Sequence, residues 1–149
     1  EIFEEQMKRL DVDYVDFYLL HALNKDTWKK VIDLNIIPYC EELKKQGRIK
    51  NFGFSFHDDY EVFEEIINYR DWDFCQIQLN YIDTDIQAGM KGYKLTEEKN
   101  VPLVIMEPIK GGALASLSLK KSLLTIIKML AFQVGLYVLW LHFQMLKLF

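Results

Sequence analysis

Cysteine is nearly absent from this 149-residue chain: Cys40 and Cys75 stand far apart, with no C-x-x-C pair and no Cys/His ligand spacing. That excludes a disulfide framework and a cysteine-based metal centre, and no metal site is expected. A reducing, cytoplasmic setting follows as the default, with no cleavable signal before the first helical pattern. Positive charge is not in excess either. The net charge of −4 gives no basic footprint for nucleic acid, so no nucleic-acid partner is implied. Acid is missing from one region only: every Asp and Glu lies at or before Glu107, and residues 108–149 contain none. At the acidic frequency of the first part, such a gap arises about once in ten thousand sequences.

What is present describes a folded chain. Half of the residues are hydrophobic and 14% are aromatic, enough for one ordinary domain with a sizeable core. Residues 1–10 place Ile2, Phe3, Met7 and Leu10 at helical spacing. "YVDFYLLHAL", residues 14–23, then reads as a strand too apolar to have a wet face, ending near His21. Lys25 to Gln46 is helical, with a possible break or kink at Pro38 and a stop at Gly47. "RIKNFGFSF" is a second strand, and "HDDYEVFEEIINY" a helix that Asp58 and Glu61 fit as a capping box. "DFCQIQLNY" is a third strand, Ile86 to Lys99 a third helical crossover, and "VPLVIMEP" a fourth strand. Strands recurring about every 25 to 35 residues, each followed by a helix, have the period of βαβ units with parallel strands. Polar groups of such sheets collect at the carboxyl ends of the strands, where His21, Ser55, Gln78 to Asn80, and Glu107 to Gly112 all fall.

The stretches "VDYVDFYLLHAL", "KKQGRIKNFGFSFHD", "WDFCQIQLNYID" and "VPLVIMEPIKGGAL", in this order and spacing, resemble the aldo-keto reductases. The likeness is to the microbial branch that often carries a C-terminal ferredoxin-like iron-sulfur module, and it covers about residues 1–117. It implies an α/β fold, part of a (β/α)8 TIM barrel from about the fourth to the seventh unit. The implied activity is reduction of aldehyde and ketone carbonyls with NADP(H) or NAD(H). The resemblance also implies that this chain is an interior slice, with a small carbonyl compound as substrate of the intact parent.

The same resemblance assigns residues. The family's catalytic tetrad is an Asp and a Tyr after the second strand, a Lys ending the third and a His ending the fourth. Only the histidine has a counterpart here, His21. Ser55 matches the strand-five residue that helps hold the nicotinamide amide, with Phe56 where an Asn usually follows. Gln76 matches the family glutamine of strand six, with Asn80 a weaker candidate nearby. Glu107, Pro108, Ile109, Lys110 and Gly111 match the strand-seven loop that runs along the nicotinamide and pyrophosphate. Nothing matches the adenine site after the eighth strand. Without the other three tetrad residues the isolated chain is expected to be inactive.

Blander readings stand beside these. A histidine at a strand end is, by itself, more often a local hydrogen-bonding residue than a catalyst. His57, Asp58 and Asp59 could be taken for a metal cluster, but helix capping explains them better. Tyr81 is best explained as packing, and Lys110 with two glycines is by itself an ordinary turn.

Residues 118–149 read as an atypical apolar tail, expected to be helical, that departs from the family's continuation. The uncharged run from Met129 to His142 is short of the roughly 20 residues that span a bilayer. Apolar residues on nearly all faces argue against an interfacial helix. A reading-frame slip near Lys120 is preferred: codons for "KMLAFQVGLYVL", shifted by one base, can spell something close to the family's "KDASISSWALRF" helix. Four of eight units cannot close a barrel, so the isolated chain is expected to self-associate or fold marginally. Two alternatives remain open from the sequence: a noncatalytic half-barrel held at a membrane by its tail, and one half of a split enzyme.

Overall fold

The computed structural model describes residues 2–115; residues 116–149, with the apolar tail and its reading-frame interpretation, lie outside the described residues. The chain divides into two compact units. One comprises residues 2–79 with Asp85–Met106, and the described part of the other comprises Asn80–Thr84 with residues 107–115.

The first unit holds helices α1 (Ile2–Leu10), α2 (Lys25–Asp33), α3 (Ile36–Lys45), α4 (Tyr60–Tyr69) and α5 (Gly89–Lys99) and strands β1 (Val15–Leu23), β2 (Ile49–Phe56), β3 (Phe74–Gln78) and β4 (Leu103–Met106). The strands form one parallel sheet in the order β1-β2-β3-β4. Strand order equal to chain order, with a helix in each connection, is the layout expected from the βαβ spacing.

Alternation along the strands sorts the sheet into two faces. Phe52, Phe54, Phe56, Cys75 and Ile77 are fully buried on one of them, where Phe63 of α4 meets the rings of Phe54 and Phe56 at 5.9 and 5.3 Å. Burial pushes the Cys40 thiol up to about 11 and that of Cys75 higher still, so both cysteines are neutral core residues. The second face carries Phe17, Gly53 and Phe74, with Leu19, Gly53 and Phe74 forming one register row and Phe17 registering with Asn51. The rings of Phe17 and Phe74 meet edge to face at 5.3 Å. A Cβ on Gly53 would lie 2.4 Å from the Phe74 carbonyl oxygen, so the row needs glycine at its centre.

Several boundaries differ from the sequence reading for physical reasons. β1 does have a wet side: of its nine residues only Leu23 is buried, and Phe17 is 47% exposed. It is an outer strand whose second face is only partly covered by the described residues. The helix after β1 breaks at Asn35, which is left-handed (φ 53°), rather than at Pro38. Pro38 lies in the first turn of α3, where a missing N–H leaves no intrahelical bond unmade. Gly47 ends α3 as expected, with φ 76° and a bond from its N–H to the Lys44 carbonyl. The Asp58/Glu61 capping box does not form. Asp59 takes the cap position, while the Asp58 carboxylate accepts from the N–H groups of Lys25 and Asp59, both at 2.8 Å. A reciprocal box occurs instead at α2, where Asn24 Oδ1 accepts from Thr27 N–H at 2.9 Å and Thr27 Oγ1 accepts from Asn24 N–H at 2.8 Å.

Candidate functional site

In the first unit, the carboxyl end of β1 is not a regular strand. Leu20 pairs with Phe54 and Leu23 with Phe56, so His21 and Ala22 together oppose Ser55 in a bulge. Ala22 takes a left-handed φ of 51°, a conformation that costs a non-glycine residue about 1 kcal/mol. The bulge is held by a 2.7 Å hydrogen bond from the Ala22 N–H to Ser55 Oγ. His21, in the residue before Ala22, is exposed. Ser55 is 3% exposed and registers directly with Gln76 of β3. The structure thus sets His21 and Ser55 at the carboxyl ends of adjacent strands, on the edge the sequence singles out, with Gln76 in register beside Ser55 in the middle of β3.

Ser55 has a local job besides any ligand it holds. Its oxygen accepts from Ala22, which leaves the hydroxyl hydrogen available for donation. Ser55→Ala is expected to strip the part-buried Ala22 N–H of this acceptor and to cost about 1–2 kcal/mol. Urea denaturation followed by circular dichroism checks this; an unchanged midpoint would mean that the bulge does not depend on the hydroxyl. Gln78, two residues beyond Gln76, accepts at 3.1 Å from the side-chain amide of Gln87.

The second unit contains the strand-seven loop. Glu107 (φ 54°), Lys110 (φ 48°), Gly111 (φ 61°) and Gly112 (φ 94°) all adopt left-handed backbone, and Lys110–Gly112 forms a short 3-10 turn. Pro108 and Ile109 are exposed. Among the described residues, a Cβ built on Gly111 or Gly112 meets nothing within 4 Å, so their backbone is open to close approach there. Lys110 Nζ, half-exposed, donates at 2.8 Å to Asp83 Oδ2. Asp83 is only 7% exposed, and the same oxygen accepts from Asn80 Nδ2 at 3.0 Å. Hydrogen bonds from Lys110 and then Asn80 hold its carboxyl below the usual carboxylate range. Asn80 Oδ1 in turn accepts from the N–H groups of Ile82 and Asp83, at 3.0 and 2.8 Å, closing an Asx turn. Tyr81 packs as expected, its hydroxyl donating to the Leu114 carbonyl at 2.9 Å.

Asp83 ends the stretch "WDFCQIQLNYID" but is given no role by the sequence. Its local signal is the Asn80-x-x-Asp83 spacing of an Asx turn, whereas its pairing with Lys110 spans 27 positions and leaves no mark in any periodic pattern.

A parallel strand-and-helix alternation with polar groups gathered at strand carboxyl ends is part of a (β/α)8 barrel. Comparison with known proteins gives the class its name: residues 1–122 match the aldo/keto reductase family, and the chain belongs to that family. Among solved structures, the holo form of an aldo-keto reductase from Bacillus halodurans is 26% identical, with a TM-score of 0.58 over 74% of this chain and 35% of that one. An aldo/keto reductase from Brucella melitensis is 25% identical, with a TM-score of 0.52 over 73% of this chain and 40% of that one. An aldo-keto reductase from Klebsiella pneumoniae, solved in complex with NADPH, shares the fold at 22% identity and a TM-score of 0.53, over 75% of this chain and 38% of its own. The chain therefore spans well under half the length of these proteins. No curated protein matches it. Among the described residues no helix is long and apolar enough to cross a membrane.

Proposed function

We propose that this chain supplies the carbonyl-orienting histidine and part of the cofactor-binding edge of an NAD(P)H-dependent oxidoreductase that reduces aldehydes and ketones. The observation that carries the reading is the bulge at the end of β1: it sets His21 beside Ser55 and binds the two positions through the Ala22–Ser55 hydrogen bond. A strained alanine retained at a strand end is the kind of feature that serves a site rather than a fold.

The roles follow from the groups. A bound nicotinamide supplies a hydride to the carbonyl carbon. His21, exposed beside the bulge, is suited to donate a ring N–H to the carbonyl oxygen and so orient and polarise it. Ser55 would donate its hydroxyl hydrogen to the nicotinamide amide, as the family resemblance assigns, and the Gln76 carboxamide, in register with it, would hold the cofactor beside it. In the second unit, Lys110 offers a cation and Gly111 and Gly112 an open backbone, a combination that suits phosphate. Glu107, Pro108 and Ile109 carry that loop. The family member solved with NADPH supports a nicotinamide dinucleotide as the ligand.

The alkoxide left by hydride addition must gain a proton as it forms. In the family pattern that proton comes from a tyrosine tuned by a lysine and an aspartate, none of which has a counterpart in these 149 residues. The chain by itself is therefore a binder, not a catalyst. Titrating the 149-residue chain into NADPH and following cofactor fluorescence tests this: saturable binding at micromolar Kd or weaker is expected, because the resemblance places only part of the cofactor site here. Sub-micromolar binding, or none, would overturn it.

A further inference from the structure

We propose that Asp83 is a positioning residue for the cofactor phosphate site: it holds Lys110, and with it the Lys110–Gly112 turn, in the form that receives an anionic ligand. The inference rests on the preceding reading of that turn as a phosphate contact and assigns to it a residue that the resemblance contains but gives no role.

Three features carry it. Asp83 is almost wholly buried, yet a nearly buried carboxylate is retained only where its charge is answered. Here one oxygen, Oδ2, takes both the Lys110 ammonium at 2.8 Å and the Asn80 amide at 3.0 Å, and Asn80 is itself locked by two backbone N–H groups. The lysine is thus tethered at its tip by a rigid anchor while about half of its side chain remains exposed. Finally, the tethered residue opens a turn of three successive left-handed residues, Lys110, Gly111 and Gly112, which no lysine favours unaided. Built this way, the cation is set in place before a ligand arrives, and the ordering of a long flexible side chain does not weigh against binding.

The sign of the effect separates this from simple charge. A carboxylate near a phosphate repels it, so by electrostatics alone Asp83→Asn should tighten NADPH binding. A positioning role demands the reverse. In a fluorescence titration of the full chain with NADPH, Asp83→Asn is expected to raise Kd about 5- to 10-fold, the scale of one charge-assisted hydrogen bond. Lys110→Met is expected to raise it at least as much, and the double variant is expected to bind no more weakly than Lys110→Met, because Asp83 acts only through Lys110. Binding that is tighter or unchanged in Asp83→Asn while Lys110→Met weakens it overturns the proposal and leaves the phosphate reading of the turn intact. Fully additive losses overturn it as well, since they mean that Asp83 acts independently of the lysine. Unchanged binding in Lys110→Met defeats the phosphate reading itself, and this proposal with it. Should Asp83→Asn fail to fold, Asp83→Glu keeps the charge but displaces the anchor. It is expected to weaken binding about 2- to 3-fold, and tighter or unchanged binding there counts against the proposal.

Discussion

Gly53→Ala is expected to cost the sheet about 3 kcal/mol or more and to abolish cooperative unfolding if the chain is marginally stable. The added Cβ would lie 2.4 Å from the Phe74 carbonyl oxygen and 2.7 Å from two carbons of its ring. Backbone cannot move aside as a flexible side chain can, so β2 and β3 must separate at their first paired residues, Gly53 and Phe74. Displacing Phe74 would also disturb its edge-to-face contact with Phe17. The Phe74 ring lies against Gly53, in the space that a side chain there would occupy. Thermal denaturation followed by circular dichroism is the check. A wild-type midpoint for Gly53→Ala would mean that the register of β2 against β3 is other than described.

The second large effect concerns turnover. The 149-residue chain with NADPH and an aldehyde is expected to consume cofactor no faster than a blank. A preceding segment that carries the family's Asp, Tyr and Lys, joined before Glu1 or added as a separate polypeptide, is expected to bring activity. In that assembled protein His21→Ala should lower kcat by about 10²-fold, the usual scale for a polar group acting on the reacting carbonyl. KM should change much less, since the imidazole is assigned to the transition state more than to substrate binding. Steady-state assay of NADPH oxidation measures both, and an unchanged kcat for His21→Ala would remove the histidine from the chemistry.

Much of this fold is legible in the sequence because its signals are local. Runs such as "NFGFSF" and "FCQIQ" alternate and end in turn residues, and the intervening segments carry helical spacing, so strand order and parallel pairing follow from repeat length. The strand-end location of His21, Ser55 and Gln78 is legible for the same reason. What is not legible depends on partners distant in sequence or on backbone states that residue types do not announce. The bulge needs a left-handed alanine, where a glycine would have been the sequence signal. The helix break at Asn35 competes with the more conspicuous Pro38, which the first turn of α3 accommodates. Asp58 looks like a cap, but the N–H of Lys25, 33 residues earlier, claims its carboxylate. The wet side of β1 reflects coverage of the sheet, since a strand of this composition reads as buried whether or not something covers its second face.

The measurement that goes most directly to the central claim is the NADPH titration of the full chain followed residue by residue through its amide chemical shifts. The account predicts saturable changes centred on His21 to Leu23, Ser55 to His57, Gln76 to Asp83 and Glu107 to Ala113, with α1 and α3 unmoved. Changes that centre on α1 or α3, or no saturable change at all, would contradict the assignment of the strand carboxyl ends as a cofactor-binding edge.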